Sequence, residues 1–329
     1  MPGHDIILIG ASAGGVQATS ELVGSLPADL PAAVFVVVHL APFGTSAMPA
    51  ILSRSGPLKA VHPTDGEPIQ QGRIYVAPPD HHLVIEDGHV RLSRAPTENG
   101  HRPAVDVLFR SGALAYGPRA VGVVLTGNLD DGTAGLATLK KHGGIAVVQD
   151  PAEADYSGMP RSAVENVAVD HICPLGEIAP LLTELAHRMV EDPTPPEADS
   201  ETHDMKNDLE HGVDREGKGR PSAFTCPDCG GTLFEKIEEE LAHFRCRVGH
   251  AYSLESLLAR QVATLEATLW AAARALEENA ALARRMEGWM RRSGKAPAGE
   301  ARYARRAEEA EHHAEALRRI LLQEPAKTG

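Results

Sequence analysis

Ala33-Val34-Phe35-Val36-Val37-Val38 is an unbroken apolar run that ends in His39. A strand wetted on one face alternates apolar and polar residues. A strand with no alternation is buried on both faces, as in a parallel sheet covered by helices. Ile6-Ile7-Leu8-Ile9 and Val121-Gly122-Val123-Val124-Leu125 repeat the pattern. Strand-like runs at 5–10, 33–39, 72–77, 120–126 and 144–149 are separated by helix-compatible segments at 16–26, 103–115, 132–142 and 159–166. This alternation predicts an α/β fold with a doubly wound, mostly parallel sheet. Residues 83–92 read as a β-hairpin turning at Asp87-Gly88, and 177–190 as a closing helix.

The pattern stops near residue 190. Segment 191–222 is rich in Pro, Asp, Glu and Gly and poor in large apolar residues, so it is read as an acidic linker with too little to bury. A small Cys/His module is expected at 223–252 and a helical hairpin at 253–325, with helices near 254–290 and 299–322 broken around Pro297. The methylene-rich, aromatic-poor composition (43% hydrophobic, 4% aromatic) supports an aliphatic core. A net charge of −13 argues against a nucleic-acid binder and against docking on an anionic membrane. The N-terminus, Met-Pro-Gly-His-Asp, has no basic n-region, and no apolar run approaches a membrane span. A soluble, cytoplasmic protein is expected.

Three apolar strands end in chemistry. Ile9-Gly10-Ala11-Ser12-Ala13-Gly14-Gly15 is a strand entering a small-residue turn and then a helix. Such a turn exposes a serine Oγ beside free N–H groups of a helix N-terminus, which can stabilise an oxyanion. A dinucleotide-binding turn fits less well, because Ser12 replaces the middle glycine of Gly-x-Gly-x-x-Gly and the second strand ends in His39 rather than Asp or Glu. His39 is placed to act as general base to Ser12. The strand 121–125 leads through Thr126-Gly127-Asn128-Leu129 to Asp130-Asp131-Gly132. Either aspartate can orient the histidine, and one of the two is expected to cap the helix that follows.

Cys226-x2-Cys229 and Cys246-x3-His250 are two tight ligand pairs with the spacing of a tetrahedral zinc site. Four protein ligands leave no open position, so the metal would be structural. His243 competes with His250 for the fourth place. Cys173 stands alone.

Taken together, Gly10-Ala11-Ser12-Ala13-Gly14-Gly15, His39, Ile74-Tyr75-Val76-Ala77-Pro78, His101-Arg102-Pro103, Leu125-Thr126-Gly127 with Asp131-Gly132, and Gln149-Asp150 through Gly158-Met159-Pro160 resemble the CheB-type protein-glutamate methylesterase domain of bacterial chemotaxis. The blocks occur in the family's order over about residues 4–187. The resemblance implies a Rossmann-like methylesterase domain over 1–190. It implies Ser12 as nucleophile, His39 as base and Asp131, the aspartate directly before glycine, as acid. Backbone N–H groups at Ala13 and Asn128 would hold the oxyanion. The implied reaction is hydrolysis of γ-glutamyl methyl esters on chemoreceptors, with glutamine deamidation as a side activity and no cofactor for catalysis. The partner would be a methyl-accepting receptor or similar helical signalling protein, with a homodimer through the C-terminal helices as a further expectation. Asn128-Leu129 stands where many members have Met-Gly, a swap that is either tolerated, with only the Asn128 backbone N–H needed for the oxyanion, or alters substrate choice. The sequence begins at the first catalytic strand, so control by a receiver domain in cis is not expected. The Cys/His block followed by Leu269-Trp270-Ala271-Ala272-Ala273-Arg274 resembles a variant type within the same family. The competing readings are a hydrolase of the same fold acting on another protein or a small ester, and a non-catalytic adaptor.

Overall fold

A computed structural model of the chain describes residues 3–39, 44, 46–190, 219–238, 241–293 and 297–322. The expected linker falls, up to residue 218, outside the described residues. The chain forms two compact units, Met1–Leu257 and Leu258–Gly329.

The first unit is built on a seven-stranded sheet whose strands all pair in parallel. Its central strands are β1 (Ile6–Ala11), β2 (Ala33–Val38) and β8 (Ala120–Val124). Beside them lie β3 (Lys59–Val61), β5 (Arg73–Val76), β9 (Ile145–Gln149) and β10 (His171–Cys173), in the order β10-β9-β8-β1-β2-β5-β3. The three-residue β3 and β10 sit at the edges, too short to carry a strand-like pattern in the sequence. A small antiparallel sheet holds β4 (Glu67–Pro68), β6 (His82–Glu86) and β7 (His89–Ser93). The expected hairpin is β6–β7, with Gly88 in the left-handed region at φ 74°.

Successive residues of β1 feed opposite cores. Ile7 and Ile9 join Val34, Val36 and Val123 on one face, and Ile6 and Leu8 join Phe35, Val37 and Val124 on the other. This is why the strands show no alternation: both faces are covered. The first face packs under α1 (Gly15–Gly24), α2 (Met48–Ser55) and α6 (Leu175–His187). The second packs under α3 (Val105–Tyr116), α4 (Thr133–Lys141) and α5 (Gly158–Asn166). The chain winds from β1 outward through β2 and β5, then returns to the other side of β1 as β8. That reversal makes a topological switch point at the C-terminal ends of β1 and β8, where sheets of this class bind ligands.

The Cys/His segment forms a four-stranded antiparallel ribbon, β11 (Arg220–Thr225), β12 (Thr232–Glu238), β13 (Leu241–Cys246) and β14 (Ala251–Ser253). Its core is small: Leu233, Phe244, Tyr252, Leu257 and two cysteines. Helix α7 (Leu254–Ser293) follows, and then α8 (Pro297–Leu322). The expected break falls between Ser293 and Pro297, and the second helix starts two residues earlier than expected, with Pro297 as its first residue, where the missing N–H has no helical partner to lose. In the second unit, buried Ala273, Ala280 and Ala283 of α7 and Ala307, Ala310 and Ala314 of α8 form a small-residue seam. Arg284–Glu311, Arg291–Glu300 and Arg318–Glu277 pair across it. No helix among the described residues is long and apolar enough to cross a membrane.

Candidate active site

Ser12 follows the last residue of β1. Its N–H donates to Thr126 O at 3.0 Å, which ties the turn to the end of β8. Gly14 takes φ 73°, and its missing Cβ would meet Thr126 at 3.2 Å. Gly127 is needed for close approach: a Cβ there would lie 2.9 Å from Ser12 Cβ and 2.1 Å from Met159 Sδ. The two strand ends can approach at Ser12 because Gly14 and Gly127, one in each turn, carry no Cβ.

His39 ends β2. Its Nδ1 lies 3.1 Å from Ser12 Oγ and its Nε2 lies 2.7 Å from Asp131 Oδ2. With the proton on Nε2, the ring donates to Asp131 and accepts from the serine hydroxyl, the neutral tautomer a general base requires. The nitrogens are used in the opposite order from a serine protease, where Nε2 faces the serine; the polarity of the relay is the same.

Asp131 is buried, with 2% of its surface exposed. Its Oδ2 also accepts from Val105 N–H (2.7 Å), and its Oδ1 from Asp106 N–H (3.2 Å) and Asn99 Nδ2 (3.1 Å). Burial opposes its charge, but the hydrogen bond and charge of His39, the charge of His101 and the Val105 N–H outweigh it. The carboxyl is held well below the usual carboxylate range. Anions are favoured at a helix N-terminus, and Asp131 sits at that of α3.

The expected cap on α4 is corrected. Neither Asp130 nor Asp131 serves it; Gly132 N–H (3.0 Å) and Gly135 N–H (2.7 Å) donate to Asp106 Oδ1. The two helices exchange caps, since Asp106 lies in the first turn of α3 while Asp131 precedes α4. A sequence reading looks for caps a few residues upstream, and this one comes from another helix. Asp130 turns away and accepts from Ser256 Oγ at 2.8 Å. Burial raises its carboxyl, with the Ser253 and Ser256 side chains opposing.

The backbone N–H groups of Ala13 and Asn128 meet no acceptor among the described residues, and each belongs to one of the two converging turns. Ala13 is half-buried and Asn128 exposed.

Three residues gain a place that the sequence reading did not assign. The His101 ring stacks on His39, centroids 3.7 Å apart and 9° from parallel. Asn99 and Asp106 surround Asp131. His101 had a signal, since it stands within the His101-Arg102-Pro103 block. Asn99 and Asp106 had none, because their roles arise from contacts between separate loops and helices.

Cys226, Cys229, Cys246 and His250 gather with their ligand atoms within 4.8 Å of one another. Cys229 and Cys246 Sγ are 3.6 Å apart, and Cys226 and Cys246 Sγ are 3.6 and 3.5 Å from His250 Nδ1. Tetrahedral coordination with metal–sulfur bonds of 2.3 Å separates sulfurs by about 3.8 Å, so the donor set fits one ion. Each pair rides a tight turn: Gly230 N–H donates to Cys226 O and Gly249 N–H to Cys246 O, with φ 71° and 108° at the two glycines. His243, on β13 opposite Lys236, is not part of the group. Cys173 lies apart, half-buried on β10.

The family model described as CheB methylesterase matches residues 7–182. The protein-glutamate methylesterase/protein-glutamine glutaminase 2 of Anaeromyxobacter dehalogenans is 41% identical over 181 residues, 55% of this chain and 53% of its own length. This chain thus spans about half of that relative. A putative protein-glutamate methylesterase/protein-glutamine glutaminase of Leptospira interrogans is 37% identical over 189 residues, 57% of this chain and 98% of its own. The crystal structure of the Thermotoga maritima CheB methylesterase catalytic domain matches with a TM-score of 0.53 at 33% identity, over 55% of this chain and 98% of that domain. The ribbon and the two long helices lie outside the residues matched by the family model.

Proposed function

This chain belongs to the CheB methylesterase family of carboxylic ester hydrolases, and from that premise we propose that it hydrolyses γ-glutamyl methyl esters on the cytoplasmic helices of chemoreceptors. The observation that carries this is the continuous hydrogen-bonded chain Ser12–His39–Asp131 at the sheet's switch point. Ser12 Oγ attacks the ester carbonyl as His39 Nδ1 takes the hydroxyl proton. Asp131 holds the ring and stabilises the imidazolium. The Ala13 and Asn128 N–H groups receive the oxyanion. On collapse, methanol leaves with the proton from His39, and the glutamyl group remains on Ser12. Water, deprotonated by His39, hydrolyses this acyl-enzyme and restores the hydroxyl. With a glutamine substrate the same steps release ammonia.

Methanol release from receptor membranes carrying labelled methyl esters tests the assignment. The wild type is expected to release label, and a phosphonate that reacts with active-site serines is expected to block release while attaching to the peptide containing Ser12. Release that persists after complete labelling of Ser12 overturns the mechanism, and no release by the untreated protein overturns the substrate.

The Cys226, Cys229, Cys246 and His250 set is assigned to structural zinc. The ribbon core is a handful of residues, below what a module of that size needs to fold without a metal. Chelation is expected to remove one zinc per chain and to abolish amide-exchange protection over 220–253. Protection in β1, β2 and β8 should persist. Unchanged protection of the ribbon in metal-free protein rules this out. Leu258, Val262 and Leu265 are exposed by 63%, 57% and 60% at helical spacing on α7, a stripe suited to a helical partner such as a receptor or a second copy.

A further inference from the structure

The ribbon grips the loop that holds the triad aspartate. Asn99 N–H donates to Ala251 O at 2.8 Å, and Ala251 N–H returns a bond to Thr97 O at 3.2 Å. The Asn99 side chain then spans the joint. Its Oδ1 accepts from Ser253 N–H at 2.9 Å, on the ribbon side. Its Nδ2 donates to Asp106 Oδ2 at 2.9 Å and to Asp131 Oδ1 at 3.1 Å, on the catalytic side. A second tie lies next to it, where Ser256 Oγ donates to Asp130, the neighbour of Asp131.

The chemistry of this position selects an amide. It must offer two donors to two buried carboxyl groups and one acceptor to an N–H, which no other side chain of that length does. The same network sets the amide's orientation, because a flip would face its oxygen to both carboxyls and its NH2 to an N–H. Asn99 also stands at φ 53°, a conformation asparagine tolerates better than most residues. Its side chain is buried, with 3% of the residue exposed. The loop around it is pinned, since Arg110 makes a two-pronged ion pair with Glu98 at 2.7 and 2.5 Å.

We propose that Asn99 is a positioning residue through which the Cys/His ribbon holds the Asp131 carboxylate in line with His39. This rests on Asp131 being the triad acid. The Asp131 carboxylate uses one oxygen for His39 and the other for Asn99 and Asp106 N–H. Without the Asn99 bond, Oδ1 keeps only the longer Asp106 N–H bond at 3.2 Å, and the carboxylate, still held at Oδ2 by Val105 N–H, is less firmly fixed in line with His39. The ribbon residues that hold Asn99, Ala251 and Ser253, lie beyond the part of the chain that matches the family model. The ribbon is thereby part of the catalytic scaffold in this chain.

The test uses the full chain and steady-state methanol release. Asn99→Gly removes the amide and accepts the left-handed backbone without strain. It is expected to lower kcat about a hundredfold, the scale of a misplaced catalytic group, with KM changed by less than about twofold. Ser253→Pro deletes the ribbon N–H at an edge strand, where proline is tolerated, and is expected to lower kcat in the same way. Ser253→Ala keeps that N–H and should retain a kcat at least about tenfold above that of Ser253→Pro. The double variant Asn99→Gly/Ser253→Pro should be no slower than Asn99→Gly alone, because both changes cut one link. Unchanged kcat in Asn99→Gly, a rise in KM alone, or multiplying effects in the double variant overturns the proposal. If Ser253→Pro does not fold, Asn99→Gly decides by itself. Ser12→Ala run in parallel separates the two levels: full activity there refutes the triad, whereas an inactive Ser12→Ala beside a fully active Asn99→Gly refutes only the positioning role.

Discussion

Ser12→Ala will hydrolyse glutamyl methyl esters about a million-fold more slowly than the wild type, the scale on which a serine hydrolase loses turnover without its nucleophile. The effect falls on kcat. In the proposed mechanism the hydroxyl oxygen is the atom acylated, and it lies 3.1 Å from His39 Nδ1. Binding of the substrate and any oxyanion donors survive, so a small residual rate above water is expected. Stability should not change: Ser12 is only half-buried, and alanine is accommodated by the same turn. Single-turnover methanol release measures the rate, and thermal unfolding checks the fold. A folded variant that keeps more than about a hundredth of the wild-type rate would remove Ser12 from the mechanism.

Asp131→Asn is expected to lower kcat about ten-thousand-fold, because an amide facing His39 favours the wrong tautomer. Asp131 accepts His39 Nε2–H, and that bond leaves Nδ1 free to take the serine proton. An NH2 in place of Oδ2 would instead donate to Nε2, place the ring proton on Nδ1 and turn the base into a donor. An NH2 in place of Oδ1 would face the donors Asp106 N–H and Asn99 Nδ2. Either way a buried donor loses its acceptor, so stability falls with activity. The pH dependence separates the two losses. The Asp131 carboxyl is held below its usual range in the folded chain, against the pull of burial, chiefly by His39. A group depressed in this way contributes stability in full above its unfolded value of about 4. That stability disappears as pH falls through the folded value. The asparagine variant has no such charge, so its stability curve should be flatter below about pH 4. Equal acid sensitivity of the two proteins would show that Asp131 is not charged in the folded state.

Much of the catalytic layer was legible because two-sided burial leaves a mark in one dimension. Ile6–Ile9, Ala33–Val38 and Val121–Leu125 show no alternation, and each lies in the middle of the sheet. A residue at the end of such a strand has its place set by the strand, so Ser12 and His39 could be found from position alone. The edges were not legible. β3 and β10 are three residues each, and their pairing is decided by neighbours rather than by their own composition. The choice between Asp130 and Asp131 also lay beyond local reasoning, since both follow the same strand. The resemblance chose Asp131, and in the fold the two side chains diverge to His39 and Ser256.

The spacing Cys226-x2-Cys229 and Cys246-x3-His250 marked a cluster able to hold a metal, because a two- or three-residue gap across a glycine turn brings both side chains to one side. Nothing in that spacing said where the ribbon would dock. The places of Ser12, His39 and the four Cys/His residues were set by the sequence itself, through strand ends and tight turns that act over a few residues. The exchange of caps between α3 and α4, the stacking of His101 on His39 and the Asn99 joint were decided only by tertiary structure. Each satisfies a buried polar group with a partner far along the chain, and a buried donor accepts whatever acceptor the packing brings within reach.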